Sequence, residues 1–112
     1  MLTLNIGGVE FFTTRETLEK SDSFFRPFVR EHVHADRLPF LDRDPTHFRY
    51  ILNFMRGSRV LPVDNLVTLR EIRVEADFYS LVEMVSLCDR YISGCSTVIC
   101  ELQRISQKMS FT

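Results

Sequence analysis

Apolar and polar residues alternate at the start of the chain. The alternation covers Leu2–Ile6, and it resumes with the same period over Val9–Phe11. Gly7 and Gly8 lie between the two runs, and glycine readily adopts the positive φ angles that a tight two-residue turn requires. The pattern therefore predicts a β-hairpin as the first element of the fold.

Two short helices and an edge strand are expected after the hairpin. Thr13 and Glu16 have the spacing of a capping box, which predicts a helix that runs towards Lys20. The apolar face of a second short helix is formed by Phe24, Phe25, Phe28 and Val29. Leu38–Leu41 has the pattern of a strand, but Pro39 has no N–H to donate, so we predict a position at the edge of the sheet.

The strongest helical pattern lies in the middle of the chain. Asp44 is a good N-cap residue, Pro45 suits the first helical position, and Gly57 suits the position just past the end. The apolar residues between them recur at i, i+3, i+4 and i+7, as Phe48, Ile51, Leu52 and Met55. We therefore predict a helix that begins at Pro45 and is closed by Gly57.

Three further helices are predicted in the last third of the chain. Asp64 is expected to cap the first, whose apolar face is formed by Leu69, Ile72, Ala76 and Tyr79. Ser80 and Glu83 form a second capping box after a break near Tyr79, and the apolar face that follows consists of Leu81, Met84, Val85, Cys88 and Ile92. The last helix has its apolar positions at Val98, Leu102, Ile105 and Met109. We divide the chain into one domain over residues 1–93 and a helix with a tail over residues 94–112.

The composition is that of a globular domain. The chain has 112 residues, of which 45% are hydrophobic and 26% are charged, so it can bury a core without disulfides. Fourteen basic and fifteen acidic residues give a net charge of −1, which provides no basic excess for nucleic acid or anionic lipid. No apolar run is long enough to cross a bilayer, and Met1–Ile6 lacks the basic start of a signal peptide. We expect a cytoplasmic protein that binds no nucleic acid and has no membrane span.

The residue types that carry metal and catalytic chemistry show no clear arrangement. Cys88, Cys95 and Cys100 lack Cys-x-x-Cys spacing, and His32 and His34 are expected to be solvated loop residues. Cys88 falls on an apolar helix face, which favours a small core residue. No phosphate loop or nucleophile elbow is visible, so we expect no cofactor, no metal and no enzymatic activity. A metal-binding or redox domain is the alternative, and zinc in the purified protein would support it.

Three ordered blocks of the sequence together resemble the potassium-channel tetramerisation type of BTB/POZ domain. The first block consists of Leu4–Gly8, Phe11, Thr13–Thr14, Thr17–Leu18 and Ser23–Phe24. The second consists of Phe40–Pro45, Phe48, Ile51–Phe54 and Arg56–Gly57. The third consists of Leu61–Pro62 and Glu75–Tyr79. The resemblance extends from about Leu2 to Ile92, and the order and separation of the blocks make it specific.

The resemblance implies an α/β fold of the α+β type, in which a small mixed sheet starts with a hairpin and is flanked by helices. Domains of this family assemble into rings of four or five copies in voltage-gated potassium channels and in KCTD-type proteins. Many KCTD-type proteins also recruit cullin-3 as substrate adaptors for ubiquitin ligation. We therefore expect a module for homo-oligomerisation, as a tetramer or pentamer, with a cullin-3 adaptor as the alternative. The chain lacks the adjacent cysteine pair of the zinc-containing channel branch.

Positions are expected for both kinds of contact. The resemblance implies an oligomer interface at Asn5, Thr13, Asp42, Arg43 and Asp44, and the mixed charges of the helix that follows add Glu75. A head-to-tail ring needs two complementary surfaces on each subunit, and the polar hairpin flank and the charged turn fit this need. The alternatives are that Asn5 satisfies turn backbone, Asp44 only caps its helix and Glu75 only pairs with arginines one turn away.

The possible cullin contacts are Phe54, Arg59 and Leu61. Exposed apolar side chains in this region would favour a partner-binding surface. Phe54 is expected to be exposed because it lies off the apolar stripe of its helix, whereas Met55 lies on that stripe. The residues leave open whether the last helix, from Val98 to Met109, packs on its own domain or on a partner.

Overall fold

The computed structural model describes residues 1–94, which form a mixed α/β fold with a small sheet and five helices. The strands are β1 (Leu2–Ile6) and β2 (Val9–Thr13), and the first four helices are α1 (Arg15–Lys20), α2 (Phe25–Glu31), α3 (Phe48–Met55) and α4 (Leu66–Phe78). Helix α5 begins at residue 82 and continues to residue 94. The predicted last helix, together with Cys95 and Cys100, lies outside the described residues. No helix within residues 1–94 is long and apolar enough to span a membrane.

The predicted hairpin is confirmed. Strands β1 and β2 pair antiparallel, with a register that runs from Leu2 opposite Thr13 to Ile6 opposite Val9. Gly7 has φ +59° and Gly8 has φ +99°, the positive angles that a primed two-residue turn requires. A Cβ atom on Gly7 would lie 2.3 Å from the carbonyl oxygen of Arg43, so the turn also packs closely on the loop that precedes α3.

The segment Leu38–Leu41 runs parallel to β1, but it does not form the predicted strand. It is held by two isolated bridges, Thr3 with Arg37 and Ile6 with Leu41. Pro39 lies between the bridges and has no N–H, which interrupts the ladder there. The segment flanks the side of β1 opposite β2, so the predicted edge position is correct.

Three helices begin at residues other than the predicted caps. Thr14 rather than Thr13 caps α1, and Asn65 rather than Asp64 caps α4. In both cases the side-chain oxygen accepts a hydrogen bond from the backbone N–H three residues later, at 3.2 Å and 3.1 Å. Ser80 has φ +58° and belongs to the turn before α5, which begins at residue 82, so Ser80 lies too early to be its N-cap.

Helix α3 is shorter than predicted at its N-terminus. It begins at Phe48 instead of Pro45. The carboxylate of Asp44 closes a local turn by accepting hydrogen bonds from the backbone N–H of Thr46 at 2.9 Å and from its hydroxyl at 2.5 Å. The C-terminus is as predicted, because Gly57 has φ +107° and ends the helix.

The predicted apolar faces form a single core. The break near Tyr79 is confirmed, and Tyr79 itself is buried between the rings of Phe25 and Phe48, with centroid distances of 4.9 Å and 5.5 Å. Cys88 is fully buried, as its position on the apolar face predicted. The buried residues on the other predicted faces are Val29, Ile51, Leu52, Met55, Leu69, Ile72, Ala76, Leu81 and Met84.

Arg15 ties the start of α1 to the end of α2. Its guanidinium donates hydrogen bonds to the carbonyl oxygens of Val29, His32 and Ala35, at 3.1 Å, 3.2 Å and 3.1 Å. Carbonyl groups at a helix C-terminus have no partner within the helix, and a cation there also interacts favourably with the helix dipole. One side chain therefore fixes the path of the chain from α2 towards the segment beside β1.

Candidate functional site

Arg43 and Glu75 form an ion pair at the centre of the candidate surface. Arg43 lies in the loop before α3, and Glu75 lies on α4. The guanidinium of Arg43 also lies 4.0 Å from the ring centroid of Phe78, one helical turn further along α4. Charge pairing on one side and a cation–π contact on the other hold the arginine in one orientation. The loop is thereby attached to α4.

The structure brings four of the predicted interface residues together around this pair. These residues line a cavity of about 350 Å³, together with two further residues of α4 and with His47, which directly precedes α3. The four are Asp42, Arg43, Asp44 and Glu75. We call this the acidic surface, and define it by Asp42, Arg43, Asp44, His47, Glu71, Val74 and Glu75. Glu75 pairs with Arg43 across the fold, and not with arginines one turn away.

The carboxylates of the acidic surface differ in how they are compensated. Glu71 faces the imidazole of His47, with 3.6 Å between Oε1 and Nε2. The pKa of Asp44 is lowered, chiefly by the hydrogen bonds from Thr46 and to a smaller extent by His47. Asp42 is exposed, and no cationic group of residues 1–94 lies within 4 Å of it. The surface therefore carries uncompensated negative charge.

An exposed apolar row on α4 borders the acidic surface. Val67, Val74 and Phe78 are 66%, 59% and 42% exposed, and their spacing of seven and eleven residues places them on one side of the helix. Single exposed apolar residues are ordinary, whereas a row beside an oriented arginine is typical of a partner-binding surface. Helical periodicity indicates only the stripe of α4 that enters the core, so it does not reveal this row on the outer side of the helix.

Asn5 and Thr13 do not lie on the acidic surface. The side-chain oxygen of Asn5 accepts a hydrogen bond from the backbone N–H of Gly8 at 2.8 Å, so Asn5 satisfies turn backbone as the alternative predicted. Thr13 is buried at the opposite end of the hairpin, where it lines a smaller cavity with Phe12 and Arg56. The predicted interface residues therefore fall into separate regions of the domain.

The expectation that Phe54 is exposed is wrong. Phe54 and Leu61 are each only 7% exposed. The guanidinium of Arg59 covers the ring of Phe54 at 3.9 Å from its centroid and reaches Glu83 at 3.6 Å. Phe54 and Arg59 nevertheless line a cavity of about 550 Å³ between the ends of α1 and α3 and the start of α5, which also includes the exposed Val82.

The two histidines near the end of α2 differ in burial, and the described cysteine, Cys88, is buried. His32 is half-buried, and its Nδ1 lies 2.8 Å from the carbonyl oxygen of Phe28, so it is not the solvated loop residue that was predicted, whereas His34 is exposed. Burial raises the pKa of the Cys88 thiol to about 11. Within residues 1–94, no three His, Cys, Asp or Glu side chains are grouped so that they could hold a metal ion.

Comparisons with known proteins agree with this fold. A family model described as BTB/POZ domain matches residues 2–88. The chain is 35% identical over 89 residues to a zebrafish (Danio rerio) protein named BTB/POZ domain-containing adapter for CUL3-mediated RhoA degradation protein 1, which covers 76% of this chain and 27% of the relative. It is 35% identical over 108 residues to human KCTD3, and 34% identical over 90 residues to human KCTD17.

These alignments cover most of this chain and a minor part of each relative. They cover 88% of this chain and 13% of KCTD3, and 75% of this chain and 28% of KCTD17. The chain thus spans less than a third of the length of these curated relatives. The family match, the identities and the fold agree with one another. The chain belongs to the BTB/POZ domain family, in its potassium-channel tetramerisation branch, and is a protein-interaction module.

Proposed function

We propose that this chain is a non-enzymatic module that assembles with copies of itself into a ring of four or five. The observation that carries the proposal is the apolar row of Val67, Val74 and Phe78 beside the acidic surface. Burying the exposed half of such side chains contributes roughly 1 kcal/mol each. Arginine and aromatic residues are also the types that most often dominate interface energetics.

The oriented Arg43 favours a defined contact over nonspecific association. Its guanidinium is already fixed by Glu75 and Phe78, so little side-chain entropy is lost when a neighbouring copy packs against it. The charged groups around Arg43 are mostly carboxylates, whereas the charged side chain at the Thr13 end of the hairpin is that of Arg56. A head-to-tail contact between unlike surfaces closes into a ring when the rotation between copies fits.

The proposal is tested with Val74→Asp, and Val33→Asp is the matched control. Both valines are 59% exposed, but Val33 lies in the turn after α2. We expect Val74→Asp to raise the dissociation constant of the assembly at least tenfold, measured by light scattering over a dilution series. Val33→Asp should leave the mass unchanged. Equal effects of the two substitutions would contradict the proposal.

A second candidate function is that of an adaptor for cullin-3. Its support is the cavity lined by Phe54, Arg59 and Val82, together with the name of the zebrafish relative, an adapter for CUL3-mediated RhoA degradation. Phe54 and Leu61 are buried, so an incoming helix would contact Arg59 and Val82 first.

A pull-down with the purified N-terminal region of cullin-3 tests the adaptor function. The wild-type protein should capture cullin-3, and Val82→Asp should abolish capture because it places a charge in the apolar wall of the cavity. Val33→Asp serves again as the control. Failure of the wild type to bind would remove the adaptor function without affecting the proposal of self-assembly.

A further inference from the structure

The exposed apolar row on α4 is long enough to receive a further helix. Val67, Val74 and Phe78 lie at i, i+7 and i+11, so the row extends roughly 16 Å along the helix at the usual rise per residue. In the part of the chain that the structure describes, the three side chains remain 42–66% exposed. On one flank of the row, α4 carries Glu71 and Glu75 of the acidic surface. Apolar surface therefore lies open beside negative charge.

A segment that fits the row follows the described residues. The predicted last helix lies there, and its apolar stripe has members at i, i+4, i+7 and i+11, namely Val98, Leu102, Ile105 and Met109. The stripe and the row thus span the same eleven residues from first to last member. Helical spacing places two positive charges and one negative charge on one flank of the stripe. These residues are Glu101, Arg104 and Lys108.

Helix α5 ends near the start of the row. The turn at residues 79–81 reverses the chain, so α5 runs back along α4, and Arg73 of α4 donates to the carboxylate of Asp89 on α5 at 2.5 Å. Gly94 lies five residues beyond Asp89, roughly 7.5 Å at the usual rise, which brings it level with the first turn of α4. Residues 95–97 match the length of ordinary connections between neighbouring helices. The predicted last helix can therefore begin beside the first member of the row.

The charges of the two flanks are complementary in this arrangement. A helix that turns back after α5 runs parallel to α4, and in parallel helices the flanks on opposite sides of the facing stripes meet, as e and g positions of coiled coils do. Round the helix in the direction of the chain, Glu71 and Glu75 lie about 40° and 80° after the row. Lys108 and Arg104 lie about 80° and 120° before the stripe. The basic flank therefore faces the acidic surface, in which Asp42 is exposed.

We propose that residues 98–109 form a helix that covers the apolar row of α4 in the same copy and thereby competes with a neighbouring copy for it. The competition rests on the proposed self-assembly, whereas the covering of the row does not. A copy whose row is covered cannot present it, so the apparent dissociation constant of the assembly is the intrinsic one divided by the uncovered fraction. The segment therefore sets the concentration at which the ring forms.

Tryptophan fluorescence tests the covering, because the chain contains no tryptophan of its own. Ile105→Trp places the probe on the apolar stripe, and Gln107→Trp places it on the opposite face of the same helix. At a concentration too low for assembly, the emission of Ile105→Trp should be shifted to the blue of that of Gln107→Trp. Adding Val74→Asp should abolish the shift, and adding Val33→Asp, the control of equal exposure, should leave it.

Three results would overturn the covering of the row. In the first, the two probes emit alike. In the second, the blue shift survives Val74→Asp, which would mean that the segment packs elsewhere. In the third, the shift arises only at concentrations at which the mass also rises, which would mean that the segment docks on a neighbouring copy.

Light scattering of the full chain tests the competition. Ile105→Asp should lower the dissociation constant of the assembly by about threefold or more, the change expected when about two thirds of the copies are covered. Gln107→Asp adds the same charge on the opposite face and should leave the constant unchanged. An unchanged or higher constant for Ile105→Asp would refute the competition. If the wild type and Ile105→Asp are both monomeric, the proposed self-assembly fails, while the fluorescence still decides whether the row is covered.

Discussion

Removal of the Glu75 carboxylate is expected to lower the free energy of unfolding by about 2 kcal/mol. The Glu75 side chain is 12% exposed and that of Arg43 is 29% exposed, so the pair is partly screened by solvent. Losing one partner of a fully buried pair costs about 3–5 kcal/mol, because the other charge is left uncompensated. Exposed pairs contribute at most about 1 kcal/mol. The intermediate exposure of this pair places Glu75→Gln between the two limits.

A double-mutant cycle with Arg43→Met separates the ion pair from the other contacts of each residue. The double variant leaves no unpaired charge, so its cost should be smaller than the sum of the single costs by on the order of 1–2 kcal/mol. Arg43→Met also removes the cation–π contact with Phe78, which contributes about 0.5–1 kcal/mol. Unfolding by denaturant is measured at one fixed protein concentration, because self-assembly adds to the apparent stability.

Glu71→Gln is the matched control for Glu75→Gln. Glu71 also lies on α4, but its side chain is 57% exposed, and its ionic partner within residues 1–94 is His47 at 3.6 Å. We expect it to change the free energy of unfolding by less than about 0.5 kcal/mol. A similarly small effect of Glu75→Gln, or strict additivity in the cycle, would refute the claim that this pair attaches the loop to α4.

Three further predictions concern the hairpin turn, the end of α2 and the buried thiol. Gly7→Ala should destabilise by more than about 2 kcal/mol because its Cβ meets the Arg43 carbonyl. Gly8→Ala should cost about 1 kcal/mol, since no atom of the described residues lies within 4 Å of its Cβ, and thermal unfolding compares the two variants. Arg15→Ala should cost on the order of 2 kcal/mol through three lost hydrogen bonds, and equal stability of Arg15→Ala and wild type would contradict the role of Arg15. Burial raises the pKa of the Cys88 thiol from 9.0 to about 11, so the folded chain binds this proton more tightly than the unfolded chain. The contribution of Cys88 to stability should therefore be constant below pH 9 and decline between pH 9 and 11. Cys88→Ala should remove this part of the decline in pH-dependent denaturation curves.

The elements that the sequence predicts well are those that depend on local periodicity. The alternation at Leu2–Ile6 and the glycine pair determine the hairpin, and the helical spacing around Phe48 and Leu69 determines which sides of α3 and α4 are buried. The observed N-cap differs by one residue from the predicted one where two adjacent residues can both cap a helix, as with Asp64 and Asn65. Which of the two caps the helix depends on the direction from which the chain arrives, and that is set by tertiary packing.

The contacts of the candidate surfaces depend on residues that are distant in the sequence. Arg43 and Glu75 were both predicted interface residues, but their pairing joins positions that are 32 residues apart. Phe54 is off the apolar stripe of α3 and is buried nevertheless, because Arg59 covers its ring. The periodicity of a helix indicates which of its own residues face the core. It carries no information on the side chains from other segments that cover the helix.

The mass of the wild-type protein in solution tests the central claim most directly. Light scattering after size exclusion, over a dilution series and at two salt concentrations, should give four or five times the 13.2 kDa of one chain. Because the proposed contact includes the charged groups of the acidic surface, higher salt should weaken the assembly. A mass of one chain at high micromolar concentration would contradict self-assembly through the acidic surface.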